Sequence, residues 1–183
     1  GAVYGMKLGV QLLSEEFQAK TADFLLTRPV TRLRVFAAKF IAILLLLAAQ
    51  NILLFALGLP GITLIVGEPL DAGIFALLSF STLFVQLFFV GIGLTLAAVI
   101  QRIKSVMAIT LGVVFFFFII ELLNQSLLEK SLTFVTPFSY FKGSALLASG
   151  AYDPAYLLTG LAVFAVFSAL AALIYQKRDI HSL

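Results

Sequence analysis

The sequence predicts an all-α, polytopic helical membrane protein with four complete transmembrane helices and the end of a fifth. Three observations carry that expectation. Of 183 residues, 62% are hydrophobic and only 11% charged, and the mean hydropathy is +1.12, well outside the range of a water-soluble domain. The charges are gathered into the gaps between long apolar runs, which keeps ionised side chains out of hydrocarbon, where each costs roughly 2.5–3.5 kcal/mol on insertion scales. Four of those runs are long enough to cross a hydrocarbon core of about 30 Å at about 1.5 Å per residue.

The opening run, residues 1–13 (GAVYGMKLGVQLL), is too short to span. It lacks the basic start and small-residue cleavage site of a signal peptide, so it reads as the final half of a span whose beginning lies outside this sequence. Residues 14–34 form a polar connection. Ser14 is a candidate N-cap, with Glu15 and Glu16 favourably placed in a first turn. A short helix can then run through Leu26. Pro29 lacks an amide hydrogen and biases Arg28 away from helical dihedrals, so that helix should stop near Thr27 and another should begin near Thr31.

Complete spans are expected at 35–59, 74–100, 105–123 and 157–175. Pro60, Gly61 and Gly67 are read as closing the first, and Asp71 with Gly73 as opening the second. Residues 124–156 are apolar enough for short re-entrant or interfacial helices, with Pro137 and Gly143 as breakers. Residues 176–183 form a polar tail.

Lysine and arginine orient these spans, because loops rich in them stay in the cytoplasm. Lys20, Arg28, Arg32, Arg34 and Lys39 lie in segment 14–39, Arg102 and Lys104 in the short turn at 101–104, and Lys177 and Arg178 in the tail. Loop 59–73 has none, and the much longer segment 124–156 has only Lys130 and Lys142. The expected orientation puts loop 14–34, the 101–104 turn and the C-terminus in the cytoplasm of a multi-pass cell-membrane protein.

Composition excludes several chemistries. There is no cysteine, and the single histidine, His181, stands in the tail, which argues against metal sites and Ser/His or Cys/His catalysis. The paired Glu15 and Glu16 lack the neighbouring histidines that an intramembrane protease would need. The net charge of +3 comes from residues flanking spans, so it suits a membrane surface and not nucleic acid. The Gly91-Ile92-Gly93 stretch lies inside a span and lacks the remaining glycine of a dinucleotide fingerprint, and the phosphate-binding pattern GxxxxGK[ST] is absent. No catalytic residue is expected. An ion-driven carrier or channel is the alternative transport class, but such proteins keep ionisable residues at mid-membrane, and the complete spans carry none near their centres.

Two groups of polar residues within the spans stand out. Ser79, Thr82, Gln86 and Gly93 fall on one helical face, and Gln50 with Asn51 form a second group. Helix packing accounts for such residues; a candidate translocation surface at a subunit interface, comprising Gln50, Asn51, Ser79, Thr82 and Gln86, is the functional alternative. The Phe115–Ile120 run reads as lipid-facing or subunit-facing bulk, and Glu121 as a residue at the outer end of its span.

The basic stretch KTADFLLTRPVTR, preceded by Glu16 and followed by Lys39 and a long span, can be an interfacial anchor or a docking element, since mixed charge beside Phe24, Leu25 and Leu26 suits a protein groove. It closely resembles the cytoplasmic loop of permease subunits of prokaryotic type-2 ATP-binding-cassette (ABC) exporters. The matching positions are Glu16, Lys20, Thr21, Asp23, Phe24, Leu25, Leu26, Thr27, Arg28, Pro29, Val30, Thr31, Arg32 and Lys39. The resemblance implies that residues 14–34 carry a cytoplasmic coupling helix. Glu16, Lys20, Asp23, Phe24, Leu25, Leu26, Arg28, Pro29 and Arg32 would dock a separate ATPase subunit. It further implies two permease copies, as a homodimer or pseudo-symmetric heterodimer, no cofactor in this chain, and ATP with Mg on the partner. Such permeases have six spans and a long outer loop before the last, which the layout here follows from the end of the second span onward.

Overall fold

The computed structural model describes residues 1–18, 32–67, 71–100, 103–127, 133–141, 146 and 150–177, with the side chains of 15–18, 32, 66 and 177 left aside. Among the described residues every regular element is a helix: α1 (Ala2–Gln18), α2 (Arg32–Val66), α3 (Ala72–Val99), α4 (Val106–Leu127), the short α5 (Pro137–Tyr140) and α6 (Pro154–Lys177). Four of them, α2, α3, α4 and α6, are long and apolar enough to cross a membrane.

Local chemistry explains where these helices start and stop. Asp71 caps α3: its Oδ1 accepts from the amides of Gly73 (2.7 Å) and Ile74 (3.4 Å), satisfying donors that a helix start leaves without partners. The expectation that Pro60 ends the preceding span is corrected. Pro60 lies inside α2, which continues for two more turns and ends at Gly67. There the left-handed φ of 77° suits a residue without Cβ, and the Gly67 amide closes onto the Thr63 carbonyl at 3.0 Å. Proline removes one intrahelical donor. The Thr63 hydroxyl sits within hydrogen-bond distance of the Leu59 and Pro60 carbonyls, at 3.1 and 2.9 Å, as the helix runs on past the proline.

α3 is the axis of the bundle. Half of its apolar span is buried, against 11–17% for the other three, and it packs on α1, α2, α5 and α6. α1 runs parallel to α3 and almost touches it. A Cβ on Gly5 would lie 2.6 Å from the Gln86 carbonyl oxygen, one on Gly9 2.6 Å from that of Val90, and one on Gly93 2.8 Å from that of Met6. Backbones can approach this closely only where side chains are missing. α6 also runs parallel to α3. The Tyr152 hydroxyl just ahead of it donates to the Leu77 carbonyl, Gly91 abuts Phe164, and the Thr95 hydroxyl donates to the Phe167 carbonyl at 2.7 Å.

α2 lies antiparallel to α3, with Asn51 against Gln86 and Gly58 against Phe75. α4 packs on α1 and sets Phe117 edge-on to Phe88 and Phe89. Phe115, Phe116 and Phe118 of the same run face outward, 45–60% exposed. At one end of the bundle Lys39 donates to the Leu12 carbonyl at 3.1 Å and Phe36 meets Tyr175. The C-terminal end of α1, the start of α2 and the end of α6 therefore meet there. The start of α3, the end of α4 and Tyr152 lie toward the other, and residues 138–141 reach in to Phe84, Phe88 and Phe89 of α3.

Candidate functional site

Midway along α3, an amide cluster crosses to α2. Gln86 is fully buried and Asn51 is 7% exposed. Asn51 uses its Nδ2 group twice, donating to the Leu47 carbonyl (2.8 Å) and to Gln86 Oε1 (2.7 Å), and Gln86 Nε2 donates to Gln50 Oε1 (3.2 Å). Lipid offers no hydrogen bonds, so buried amides turn to one another. The match is incomplete: Asn51 Oδ1 is buried with no hydrogen-bond partner among the described residues, and so is Ser79 Oγ.

The structure thus brings Gln50, Asn51 and Gln86, which belong to two separate groups in the sequence, into one cluster. Ser79 is buried and Thr82 half-buried on α3 toward its start, with Thr82 Cγ2 2.9 Å from where a Gly1 Cβ would stand. Gly93, on the same face, is a packing residue held against Met6, Gly9 and Val10.

Of the docking residues, Lys20, Asp23, Phe24, Leu25, Leu26, Arg28 and Pro29 lie outside the described residues, as do Thr27 and the Pro29 corner's remaining neighbours. Glu16 belongs to the last turn of α1 and Arg32 is the first residue of α2. The reading of Ser14 as an N-cap is corrected. α1 runs without a break through it to Gln18, and its buried hydroxyl donates back to the Gln11 carbonyl at 3.3 Å. The acidic pair that looked like a first turn thus continues a helix that has already begun, because the glycine-bearing run ahead of it packs on α3.

Sequence reasoning missed two features. The Gly1, Gly5, Gly9 spacing is a repeated small-xxx-small pattern, a signal that was present and that marks the α1–α3 contact. The second is a polar cluster at the far end of α4. Glu121 and Asn124 are each 4% exposed and share a helical face at i, i+3. The Ser139 hydroxyl donates to Glu121 Oε2 and accepts from Asn124 Nδ2 at 2.9 Å. Gln125 Nε2 donates to Glu121 Oε1 at 3.0 Å. These bonds offset the cost of burying a carboxylate. Nearby, the Tyr140 hydroxyl donates to the Phe134 carbonyl at 2.5 Å and its ring stacks on Tyr156. Desolvation, followed by the neighbouring Tyr156, raises the Tyr140 pKa, so this hydroxyl remains a donor.

A bundle of this kind, with spanning helices and buried mid-span amides, defines a multi-pass helical membrane protein. The model of the ABC-2 family transporter proteins matches residues 1–180, and the chain belongs to that family. No curated protein and no solved structure matches it. Membership makes the chain an ABC transporter permease and implies, in general, an ABC ATPase as its partner.

Proposed function

We propose that the chain is the membrane-spanning permease subunit of an ATP-driven exporter, which converts ATP hydrolysis on a separate ATPase subunit into substrate translocation. ATP and Mg reside on that partner, and two permease copies assemble with two ATPases. Loop 14–34 and the C-terminus face the cytoplasm. Glu16, Lys20, Asp23, Phe24, Leu25, Leu26, Arg28, Pro29 and Arg32 form the docking element, and the polar residues Gln50, Asn51, Ser79, Thr82 and Gln86 border the path.

The observation that carries this reading is how the two arms of the loop are tied to the bundle. α1 enters the loop and α2 leaves it. α1 is locked to α3 through Gly5, Gly9 and Gly93, α2 is bonded to α3 through Asn51 and Gln86, and Lys39 joins the two arms. A push on the loop is therefore delivered to the central helix and not dissipated at the surface. Closure of the ATPases would draw the paired loops together and bias the spans between two arrangements, to the extent of its differential binding energy.

The test is affinity purification of the full-length, tagged permease from gently solubilised membranes. A soluble ATPase subunit should accompany it and be lost with Phe24→Asp, while the helical content of the permease is unchanged. Absence of any ATPase across several detergents would favour the ion-driven carrier or channel.

A further inference from the structure

The segment from Thr133 to Phe141 enters from the end of the bundle remote from Lys39 and reaches three spans, meeting α3 near its midpoint. Phe138 and Tyr140 meet Phe89 and Phe88 of α3, Phe134 and Tyr140 meet Tyr156 of α6, and Ser139 and Thr133 bond to α4. Its helix α5 is four residues long. A helix that short has no stability of its own, so its position is imposed from outside. Thr136, fully buried, caps its start by accepting from the Phe138 amide at 3.4 Å, and Pro137 stands at the first helical position.

Its attachments to α3 and α6 are ring contacts, which tolerate sliding. Those to α4 are directional. Ser139 is the hub, donating to Glu121 and accepting from Asn124; Asn124 also pairs with Thr133, at 3.4 Å from Nδ2 and 3.5 Å from Oδ1. Among the described residues, the side-chain hydrogen bonds between α4 and this segment all run through Glu121 and Asn124. A carboxyl group buried among spans is costly, which makes it a candidate for a functional role.

We infer that Glu121 and Asn124 form a latch: they hold the Thr133–Phe141 segment against the middle of the bundle through Ser139, and the latch releases when the spans rearrange during the ATP-driven cycle. The holding half stands on the geometry alone, and the release half rests on the proposed ATP coupling. The structure fits a reversible device, since a few polar bonds exchange readily for water once the segment lifts, whereas the ring contacts on either side do not need to be rebuilt in one register.

The experiment is hydrogen–deuterium exchange of the 133–141 amides in the purified permease–ATPase complex, with ATP hydrolysis followed in the same sample. Measurements are made without nucleotide and after trapping with ATP and vanadate. Glu121→Ala should speed exchange of this segment roughly tenfold without nucleotide, as the loss of one charge-assisted bond implies, and Glu121→Gln, which keeps an acceptor for Ser139, should lie close to the parent. Ser139→Ala, altered on the other partner, should match Glu121→Ala while α3 amides stay protected. In the parent, trapping should itself raise exchange of 133–141. Parent-like exchange in both Glu121→Ala and Ser139→Ala overturns the latch. Fast exchange in those variants with no response of the parent to trapping, while ATP is hydrolysed, overturns release and leaves a fixed brace. If no ATPase co-purifies, the coupling reading fails and release fails with it, yet the variant comparison on the permease alone still decides whether Glu121 and Asn124 hold the segment.

Discussion

Replacing Gly9 by alanine should separate the first helix from the axis of the bundle. The added Cβ would stand 2.6 Å from the Val90 carbonyl oxygen, 3.1 Å from Gly93 Cα and 3.1 Å from the Leu94 amide nitrogen. All three are backbone atoms of α3, so no side chain can rotate away. Ordinary contact begins at 3.4 Å, so the helices must part by about 0.8 Å (3.4 minus 2.6). Forcing one extra carbon into a close-packed site costs typically about 1–3 kcal/mol, and here the loss extends to the neighbouring crossings at Gly5 and Gly93. Gly112 is the control, because nothing lies within 4 Å of a Cβ built on it. Unfolding of the purified protein in mixed micelles, followed by circular dichroism, should show Gly9→Ala destabilised by about 1–3 kcal/mol and Gly112→Ala unchanged or slightly more stable. Equal stability of Gly9→Ala and the parent would refute the claim that backbone contact holds α1 in place.

Further outcomes follow from the other contacts. Gln86→Leu leaves Asn51 buried without one of its two acceptors and should cost about 1–3 kcal/mol, whereas the double variant Asn51→Leu with Gln86→Leu should recover most of that loss; a double-mutant cycle in the same micelles gives the coupling, expected at about 0.6–1.7 kcal/mol. Arg28→Glu should abolish recovery of the ATPase subunit in a pull-down without lowering permease yield, and undiminished recovery removes the arginine from the docking element. Tyr152 has its pKa raised above 10.0 by burial, so folding favours its protonated form. Its contribution is complete below pH 10 and is lost only as pH climbs through the raised value; Tyr152→Phe should flatten that alkaline limb in a stability–pH series.

The spanning helices were legible because hydropathy over twenty residues overwhelms local signals, and the cap at Asp71 because an aspartate two residues before a glycine at the head of an apolar run has few other uses. Pro60 misled for a related reason. As a local signal it ends helices, but an apolar environment with no water to receive a freed carbonyl makes continuing the helix the lesser loss. The amide cluster was half legible. Periodicity put Gln86 on an inward face, yet only the antiparallel crossing of α2 and α3 reveals that Asn51 stands opposite. Ser139 was illegible as a partner of Glu121, since nothing in the order of residues says that the chain turns back between them. The resemblance of the loop to a known family reached the family itself, which periodicity could not, because a pattern of apolar residues reports this chain's own packing and nothing of its relatives.

α2 has one more consequence, for the lipid. At about 1.5 Å per residue its 35 residues extend roughly 52 Å, while the 22 residues of α4 extend roughly 33 Å. The first turns of α2 hold Arg32, Arg34 and Lys39, so its apolar stretch begins only after them. Beyond Pro60 the helix still carries Leu64 and Ile65, 84% and 86% exposed, so its last two turns remain oily. A helix with so long an apolar stretch is accommodated by tilting or by a locally thicker bilayer. A subunit with such unequal edges tilts with the sheet of lipid around it, and the chain length of that lipid becomes one of the forces acting on its helices.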